Sequence, residues 1–272
     1  MTAVNARAYA KITLFLRITA VKDGYHEIEA LQQSIDLFDE ITLSKREDDE
    51  ITSDFPNDNS LIVLRHLAKT FSLGGMHLSI KKNIPIGAGL GGSSADAAAA
   101  ALACAELWNI DVSRVKKAVS SLFGDIAFQM TGGIAMARGF GDEIESLPDL
   151  PVYNVLLALP SKGVSTKEAY ALSDTLPKGH GSALSLYRAL TRGEKADRHY
   201  LNDLLPPATI LNEEISPILA SLRESNTLLA GMSGSGSALF ALYHTREEAE
   251  EAASKLSVPC LITRTISPFP AK

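Results

Sequence analysis

The sequence has 272 residues, which is long enough for one large domain or two domains of ordinary size. Hydrophobic residues make up 46% of it and charged residues 21%, as in globular proteins, and the net charge of −6 disfavours nucleic acid or an anionic membrane as a partner. No apolar run approaches the length of a membrane span, and the first residues lack the apolar segment of a signal peptide. The two cysteines, Cys104 and Cys260, are expected to be buried free thiols in a reducing, cytoplasmic setting.

The N-terminal part predicts strands separated by polar turns, and one helix. Lys11 lies inside the first strand, where alternation usually turns a lysine towards solvent. A turn at Asp23-Gly24 precedes the second strand, and the helix has Asn59 or Ser60 as its cap. The predicted strands cover residues 4–18, 27–35, 37–43 and 77–82, and the helix covers residues 59–69.

A glycine-rich stretch follows the fourth of these strands. Pro85 stops the strand, glycine occupies four of the six positions 87–92, and an alanine-rich helix continues to Leu107. Glycines that lead into a helix N-terminus let backbone N–H groups surround an anion, so this stretch predicts a phosphate-binding loop. The hydroxyls of Ser93 and Ser94 are placed to cap the helix or to reach a phosphate or Mg²⁺. The predicted loop comprises Pro85, Ile86, Gly87, Ala88, Gly89, Leu90, Gly91, Gly92, Ser93, Ser94 and Ala95.

The sequence of this loop is also compatible with other kinds of site. Its spacing, Gly87-x-Gly89-x-x-Gly92, satisfies the dinucleotide fingerprint, and Asp111 lies about 20 residues further on, where a ribose-binding acid is expected. However, Asp111 follows a helix and has the context of a helix N-cap rather than of a strand end. Glycines that merely permit tight packing are a third alternative. A Walker loop is excluded, because no Gly-Lys-Ser/Thr sequence closes the stretch.

The loop, with proline, Gly-Leu-Gly and paired serines together, resembles the phosphate loop of the GHMP kinase family, which wraps the phosphates of ATP. Lys11 to Leu16 and Asp23 to Ile28 resemble the branch of that family whose acceptor is a cytidine diphosphate-linked polyol of non-mevalonate isoprenoid biosynthesis. The resemblance runs nearly end to end. It implies an α+β, two-domain fold, with a ribosomal protein S5 domain 2-like nucleotide-binding domain over residues 1–150 and a ferredoxin-like α/β sandwich over residues 151–272.

The same resemblance implies roles for several residues. Asp125 matches the proposed catalytic base, although by composition alone an aspartate there is more commonly an N-cap or turn residue. Lys11 would keep that carboxylate ionised and polarise the hydroxyl or the γ-phosphate. Two positions depart from the family, since Thr13 replaces the usual asparagine and Ala127 the usual proline. The residues implied to contact the acceptor are Thr13, Tyr25, His26 and Tyr170, the last three recognising cytidine.

The C-terminal half predicts a strand over residues 153–159, a helix capped by Ser165 or Thr166, and a helix from Leu204 to Leu222. A second glycine-serine turn, residues 231–237, leads into an apolar strand and resembles the family motif that lies against the phosphate loop. A last helix begins at Thr245, and a last strand covers residues 260–265. This β-α-β-like order is typical of a ferredoxin-like sandwich.

The resemblance implies a kinase that transfers the γ-phosphate of ATP to the tertiary hydroxyl of a methylerythritol moiety, and Ser93 or Ser94 would help to hold Mg²⁺. The alternatives are another GHMP kinase, for mevalonate, homoserine or a sugar, and a non-catalytic ATP-binding relative. We expect a small-molecule substrate and ATP as the partners, with no nucleic acid and no membrane. The sequence leaves open whether the protein is a monomer or a homodimer.

Overall fold

The structure is a computed structural model that describes residues 2–268, and no helix in that range is long and apolar enough to cross a membrane. It has the mixture of helices and strands expected of an α+β fold. The strands are β1 Ala3–Lys22, β2 Tyr25–Lys45, β3 Ile51–Ser53, β4 Met76–Lys81, β5 Ile134–Arg138, β6 Glu143–Ser146, β7 Asn154–Ala158, β8 Leu229–Met232, β9 Leu239–Tyr243 and β10 Cys260–Arg264. The helices are α1 Asn59–Phe71, α2 Gly92–Trp108, α3 Val112–Val119, α4 Ile126–Gln129, α5 Thr166–Ser173, α6 Ala183–Thr191, α7 Leu205–Leu211, α8 Ile215–Glu224 and α9 Arg246–Ser254, with a 3₁₀ turn at Asp197–His199.

The chain forms two compact units that are interleaved along the sequence. The first unit comprises the residues up to Ala10, Leu37–Pro85 and Gly91–Thr131, and the second comprises the remaining segments. Each of the long strands β1 and β2 has one part in the first unit and another part in the second. The division into domains at residue 150 is a different partition and stays a prediction.

The first unit combines a small sheet with helices α1 to α4. Its strands have the order β3-β4-β2, with β4 antiparallel to β2 and parallel to β3. The alanine run of α2 is buried, and its small side chains let α1 pack closely on that helix. The cap of α1 is Asp58 rather than Asn59 or Ser60, because Asp58 has the extended backbone of an N-cap and its carboxylate accepts the N–H of Ser60 at 2.9 Å.

The strand prediction was wrong in two respects in this part of the chain, since β3 was not predicted and two predicted strands are one. The two strands predicted for residues 27–35 and 37–43 form the single strand β2. A lone aspartate between them, Asp36, does not break the strand, because its side chain reaches the Arg264 guanidinium at 3.1 Å and no glycine or proline interrupts the ladder.

The second unit contains part of β1 and β2 with β5 and β6, and a separate antiparallel sheet of order β10-β7-β9-β8. Numbered along the chain, that sheet has the order 4-1-3-2, with helices between its first and second and between its third and fourth strands. This is the ferredoxin-like arrangement predicted for the C-terminal half.

The helices of this unit differ from the prediction at two places. The helix predicted up to Leu222 is interrupted at Asn212, whose amide donates to the carbonyl of Lys162 and whose side-chain oxygen accepts the N–H of Glu214. These side-chain bonds compete with the helical backbone bonds. Helix α6 lies outside the predicted elements.

The two cysteines differ in burial. Cys104 is a buried free thiol, and burial raises its pKa to about 12. Cys260 is a free thiol but only half-buried, which corrects the expectation of two buried thiols, because its strand β10 is the edge strand of the second sheet.

Leu222 on α8 gives a test of this core. Its side chain is 1% exposed and packs in the cluster under the second sheet, so Leu222→Ala should lower the free energy of unfolding by about 2–5 kcal/mol. Leu184→Ala on α6 is the matched control, since Leu184 is 52% exposed, and should change it by less than about 0.5 kcal/mol. Urea unfolding followed by circular dichroism measures both, and equal losses in the two variants would contradict this packing.

Candidate active site

The predicted order of strand, glycine loop and helix is present in the structure, as β4, residues 82–91 and α2. Gly87, Gly89 and Gly91 have φ values of 70°, 76° and 72°, in the left-handed region where glycine is unstrained. Gly91 is the N-cap of α2 and offers no capping side chain. Of the two alternative roles expected for the Ser93 and Ser94 hydroxyls, capping of α2 is therefore not observed for either residue. The Ser93 hydroxyl instead accepts the backbone N–H of Asn59 at 3.3 Å, at the start of α1.

Part of the glycine loop packs on the second glycine-serine turn. The Ser233 hydroxyl donates to the carbonyl of Gly89 at 2.8 Å, and the N–H of Ala238 donates to the carbonyl of Ala88 at 3.1 Å. A Cβ at position 89 would lie 2.2 Å from the carbonyl oxygen of Ser233, so only glycine fits there. The contact between the two glycine-rich turns, which the family resemblance implied, is thus present in the second unit.

Lys11 is 3% exposed, so it does not take the solvent-facing position that is usual for a lysine in a strand. Its backbone N–H donates to the carbonyl of Leu90 in the loop at 3.0 Å, and its ammonium donates to the Thr13 hydroxyl at 2.8 Å. The N–H of Thr13 in turn donates to the Ser233 hydroxyl at 3.1 Å. The strand that carries Lys11 is therefore bonded directly to both glycine-rich turns.

Asn202 and Ser233 were not among the predicted site residues. The Asn202 amide donates to the carbonyls of Met232 and Gly234, both at 2.9 Å, and so fixes the second turn. Both residues stand in motifs that the sequence analysis noted, but nothing in the sequence alone indicates that their side chains bridge distant segments.

Asp125 lies in the first unit, directly before the short helix α4. It occupies the N-cap position without making a side-chain cap bond. Ala127 is the second residue of α4, close to the helix start, where proline is also tolerated, so its replacement of proline is compatible with this helix. From the end of α4, the Gln129 amide donates to the carbonyl of Gly91 at 3.4 Å. This bond links the helix that follows Asp125 to the residue that precedes α2.

The residues predicted to recognise cytidine lie in the second unit. The rings of His26 and Tyr170 are tilted by 35° with centroids 4.7 Å apart, and His26 Nε2 lies 2.8 Å from Oδ1 of Asp174. Tyr25 is 71% exposed, and its ring meets the ring of Phe140 edge-on, with centroids 6.4 Å apart. Asp174 and Phe140 were not predicted. Asp174 follows Tyr170 by one helical turn, which is the only signal in the sequence for its position.

The dinucleotide interpretation of the loop is not supported, because Asp111 is the N-cap of α3. Its carboxylate accepts the N–H groups of Ser113 at 2.9 Å and Arg114 at 3.3 Å. Hydrogen bonds from Ser113 and Arg114 hold the pKa of Asp111 below its usual value. A carboxylate engaged in this way is not presented to a ribose at the end of a strand.

The two glycines of the loop provide a matched pair for testing the loop geometry. Gly89→Ala should weaken binding of ADP about tenfold more than Gly87→Ala, because a Cβ at 89 meets Ser233 whereas a Cβ at 87 has no atom within 4 Å. Both variants carry the same left-handed strain of about 1–2 kcal/mol. Calorimetric titration with ADP and Mg²⁺, alongside the melting temperature of each variant, makes the comparison. Equal weakening of ADP binding in the two variants would show that the contact with Ser233 does not determine the conformation of the loop.

Known proteins resemble the chain along most of its length. The GHMP kinases N terminal domain matches residues 59–141, and the GHMP kinases C terminal domain matches residues 186–259. The chain is 39% identical to the 4-diphosphocytidyl-2-C-methyl-D-erythritol kinase of Desulfitobacterium hafniense (strain Y51), over 92% of this chain and 91% of that relative. It is 35% identical to the kinase of the same name from Pelotomaculum thermopropionicum, over 97% and 99% respectively.

Solved structures agree with these relatives. A crystal structure of 4-(cytidine 5'-diphospho)-2C-methyl-D-erythritol kinase matches with a TM-score of 0.81 at 28% identity, covering 96% of this chain and 99% of that one. A homoserine kinase from Cytophaga hutchinsonii matches with a TM-score of 0.70 at 17% identity, over 98% and 96%, which shows a common fold alone. The chain therefore belongs to the 4-diphosphocytidyl-2-C-methyl-D-erythritol kinase family within the GHMP kinases, and it is an ATP-dependent small-molecule kinase.

Proposed function

We propose that this kinase transfers the γ-phosphate of ATP to the tertiary hydroxyl of 4-diphosphocytidyl-2-C-methyl-D-erythritol, in the non-mevalonate isoprenoid pathway. The observation that carries the proposal is the buried Lys11, whose own backbone N–H is bonded to Leu90 of the glycine loop. Phosphoryl transfer requires positive charge beside the phosphates. The buried ammonium of Lys11 supplies it from a strand that is hydrogen-bonded to the phosphate loop.

The ATP phosphates are received by the glycine loop and the N-terminus of α2. Three left-handed glycines turn the backbone there, and the first N–H groups of α2 have no helical acceptor, so they are available to phosphate oxygens. The residues assigned to this role are those predicted, Pro85 to Ala95. Because the protein carries a net charge of −6, local donors of this kind are needed to attract a polyanion.

A magnesium ion suits the residues at this helix start. Among residues 2–268, no group of three or more His, Cys, Asp or Glu side chains is arranged to hold a metal. Mg²⁺ commonly keeps water ligands and takes one or two oxygens from the protein, so the hydroxyl of Ser94 or Ser93 is sufficient. We assign Ser94 first, because the Ser93 hydroxyl already accepts the N–H of Asn59. When bound, the ion would neutralise negative charge on the phosphates.

The acceptor hydroxyl attacks the γ-phosphorus as ADP leaves, and its proton passes to the carboxylate of Asp125. The position of Asp125 beside α4, tied to Gly91 through Gln129, supports this assignment. Lys11 stabilises charge on the transferred phosphoryl group, and Thr13 holds the ammonium of Lys11 in place. In this arrangement Thr13 orients Lys11, a role distinct from the direct contact with the acceptor that the family resemblance implied.

Cytosine is recognised beside His26 and Tyr170. We assign the Nε2–H of His26 as the donor to the carboxylate of Asp174, and in that tautomer Nδ1 is a hydrogen-bond acceptor. An acceptor at this position suits the exocyclic amino group of cytosine, and the exposed ring of Tyr25 offers a stacking surface.

Other acceptors are not favoured. Mevalonate kinases and a homoserine kinase match the structure at 14–17% identity, which shows the fold alone, whereas the relatives at 32–39% identity carry the name of the cytidylylated substrate. A non-catalytic ATP-binding role is likewise not favoured. We place the reaction in the cytoplasm, which agrees with the use of ATP and with two free thiols.

Asp125→Asn tests the catalytic assignment. The amide cannot accept the proton, so kcat should fall about 10²-fold to 10⁴-fold, while ADP binding stays unchanged because Asp125 is not assigned to the nucleotide. ADP release with 4-diphosphocytidyl-2-C-methyl-D-erythritol, compared with mevalonate and homoserine, measures this in a coupled assay. Release with mevalonate or homoserine alone would refute the proposed acceptor, and full activity in the variant would refute the proposed base.

Asp174→Ala tests the cytosine assignment. Loss of the carboxylate frees the His26 ring, so KM for the cytidylylated acceptor should rise about tenfold, with KM for ATP unchanged. Glu168→Ala is the control, since Glu168 is exposed and lies in the first turn of α5, the helix that has Asp174 as its C-cap. A parallel rise in KM for both substrates would indicate a general disturbance of α5 instead.

A further inference from the structure

Three ionisable side chains form a buried cluster in the first unit, which we name the Lys82 triad: Asp39, Lys82 and Asp96. The ammonium of Lys82 lies 2.6 Å from Oδ2 of Asp39 and 2.5 Å from Oδ2 of Asp96. Both carboxylates are fully buried and the lysine side chain is 14% exposed. None of the three has a role in the mechanism above.

Asp39 holds the backbone at the end of β4. Its Oδ1 accepts the N–H of Asn83 at 2.5 Å and the N–H of Ile84 at 2.8 Å. These are the two residues that precede Pro85 and the glycine loop. The stretch of chain that leads into the loop is therefore fixed by a carboxylate on β2.

Asp96 lies on the other side of the loop, one helical turn after Gly92, the first residue of α2. Through Lys82, it joins this helix to the same Asp39 that fixes residues 83 and 84. The two ends also pack closely, since a Cβ on Gly92 would lie 3.2 Å from Cγ2 of Ile84 and 3.5 Å from the Lys82 ammonium. One lysine thus links the segment before the loop to the helix after it.

Joining β4 to α2 through buried charges has a large desolvation cost. Burial of ions costs several kcal/mol each, and apolar side chains of similar volume often replace such clusters without loss of stability. Oδ1 of Asp96 accepts no hydrogen bond from the residues that the structure describes. Stability alone is therefore a weak reason for this cluster, whereas directional bonds that set a distance are what an apolar contact does not provide.

We propose that Asp39, Lys82 and Asp96 are positioning residues for ATP, which hold the N-terminus of α2 at a fixed distance from the end of β4. The N–H groups that receive the phosphates are then in place before the nucleotide binds, so no binding energy is used to order them. This inference rests on the phosphate-binding role proposed for the glycine loop. It adds that the loop depends on an ionic link that touches no phosphate.

Asp96→Ala and Asp96→Asn test the proposal as a pair. The alanine variant breaks the link to α2 but leaves Lys82 paired with Asp39, so no buried charge is stranded, and its Kd for ADP with Mg²⁺ should rise about tenfold. The asparagine variant still accepts from Lys82 and should bind ADP as the unchanged protein does. Calorimetric titration measures binding without the acceptor, so failure of the proposed acceptor does not affect the result.

The control is Lys81→Met, which removes the neighbouring lysine and its exposed pair with Glu40 and should leave ADP binding unchanged. Asp96→Leu, which fills the space, serves where the alanine variant does not fold. A lower melting temperature with unchanged Kd in the alanine or leucine variant would overturn the proposal and leave the triad a structural role only. A tenfold loss that asparagine rescues would support it.

Discussion

The hydroxyl of Ser233 connects three stretches of chain that are far apart in the sequence. It donates to the carbonyl of Gly89 and accepts the N–H of Thr13, two residues from the buried Lys11. A hydroxyl can do both at once, since it is donor and acceptor. The close approach also requires that position 89 has no Cβ. The glycine loop, strand β1 and the second glycine-serine turn are thus held together by close contacts. A change in any of these three segments would disturb the other two.

Two lysines of this acidic protein are held in fixed positions away from solvent. Lys11 and Lys82 are both largely buried, and each is oriented by short polar contacts, Lys11 by Thr13 and Lys82 by two aspartates. Low surrounding polarity strengthens their interactions, while the backbone N–H groups of α2 add donors that carry no net charge. Lys82 is therefore proposed to act through its two aspartates rather than directly on the nucleotide.

The sequence predicted the elements that have strong local signals. The glycine loop, α2 and the helix cap at Ser165, one of the two residues expected there, followed from glycine, alanine and serine signals. The β-α-β-like order of the C-terminal half indicated a ferredoxin-like sheet, but not the order of its strands. The sequence did not predict the contacts between side chains that lie far apart along the chain. The bond between His26 and Asp174 joins residues 148 positions apart, and the bond between Lys82 and Asp96 joins residues 14 positions apart. The strand that carries Lys11 is bonded through Thr13 to Ser233, which lies 220 positions from Thr13. Asp58 was missed as a cap because three neighbouring polar residues offered the same local signal.

The bond between Ser233 and Gly89 has a consequence for the order in which the chain matures during synthesis. The loop is complete in sequence once residue 95 has been made, but Ser233 is added 144 residues after Gly89. Until then the carbonyl of Gly89 and the N–H of Thr13 have only water in place of their final partner. The nascent N-terminal half can form strands and helices on the ribosome, whereas the contact between the glycine loop and the second glycine-serine turn forms only when nearly the whole chain has emerged.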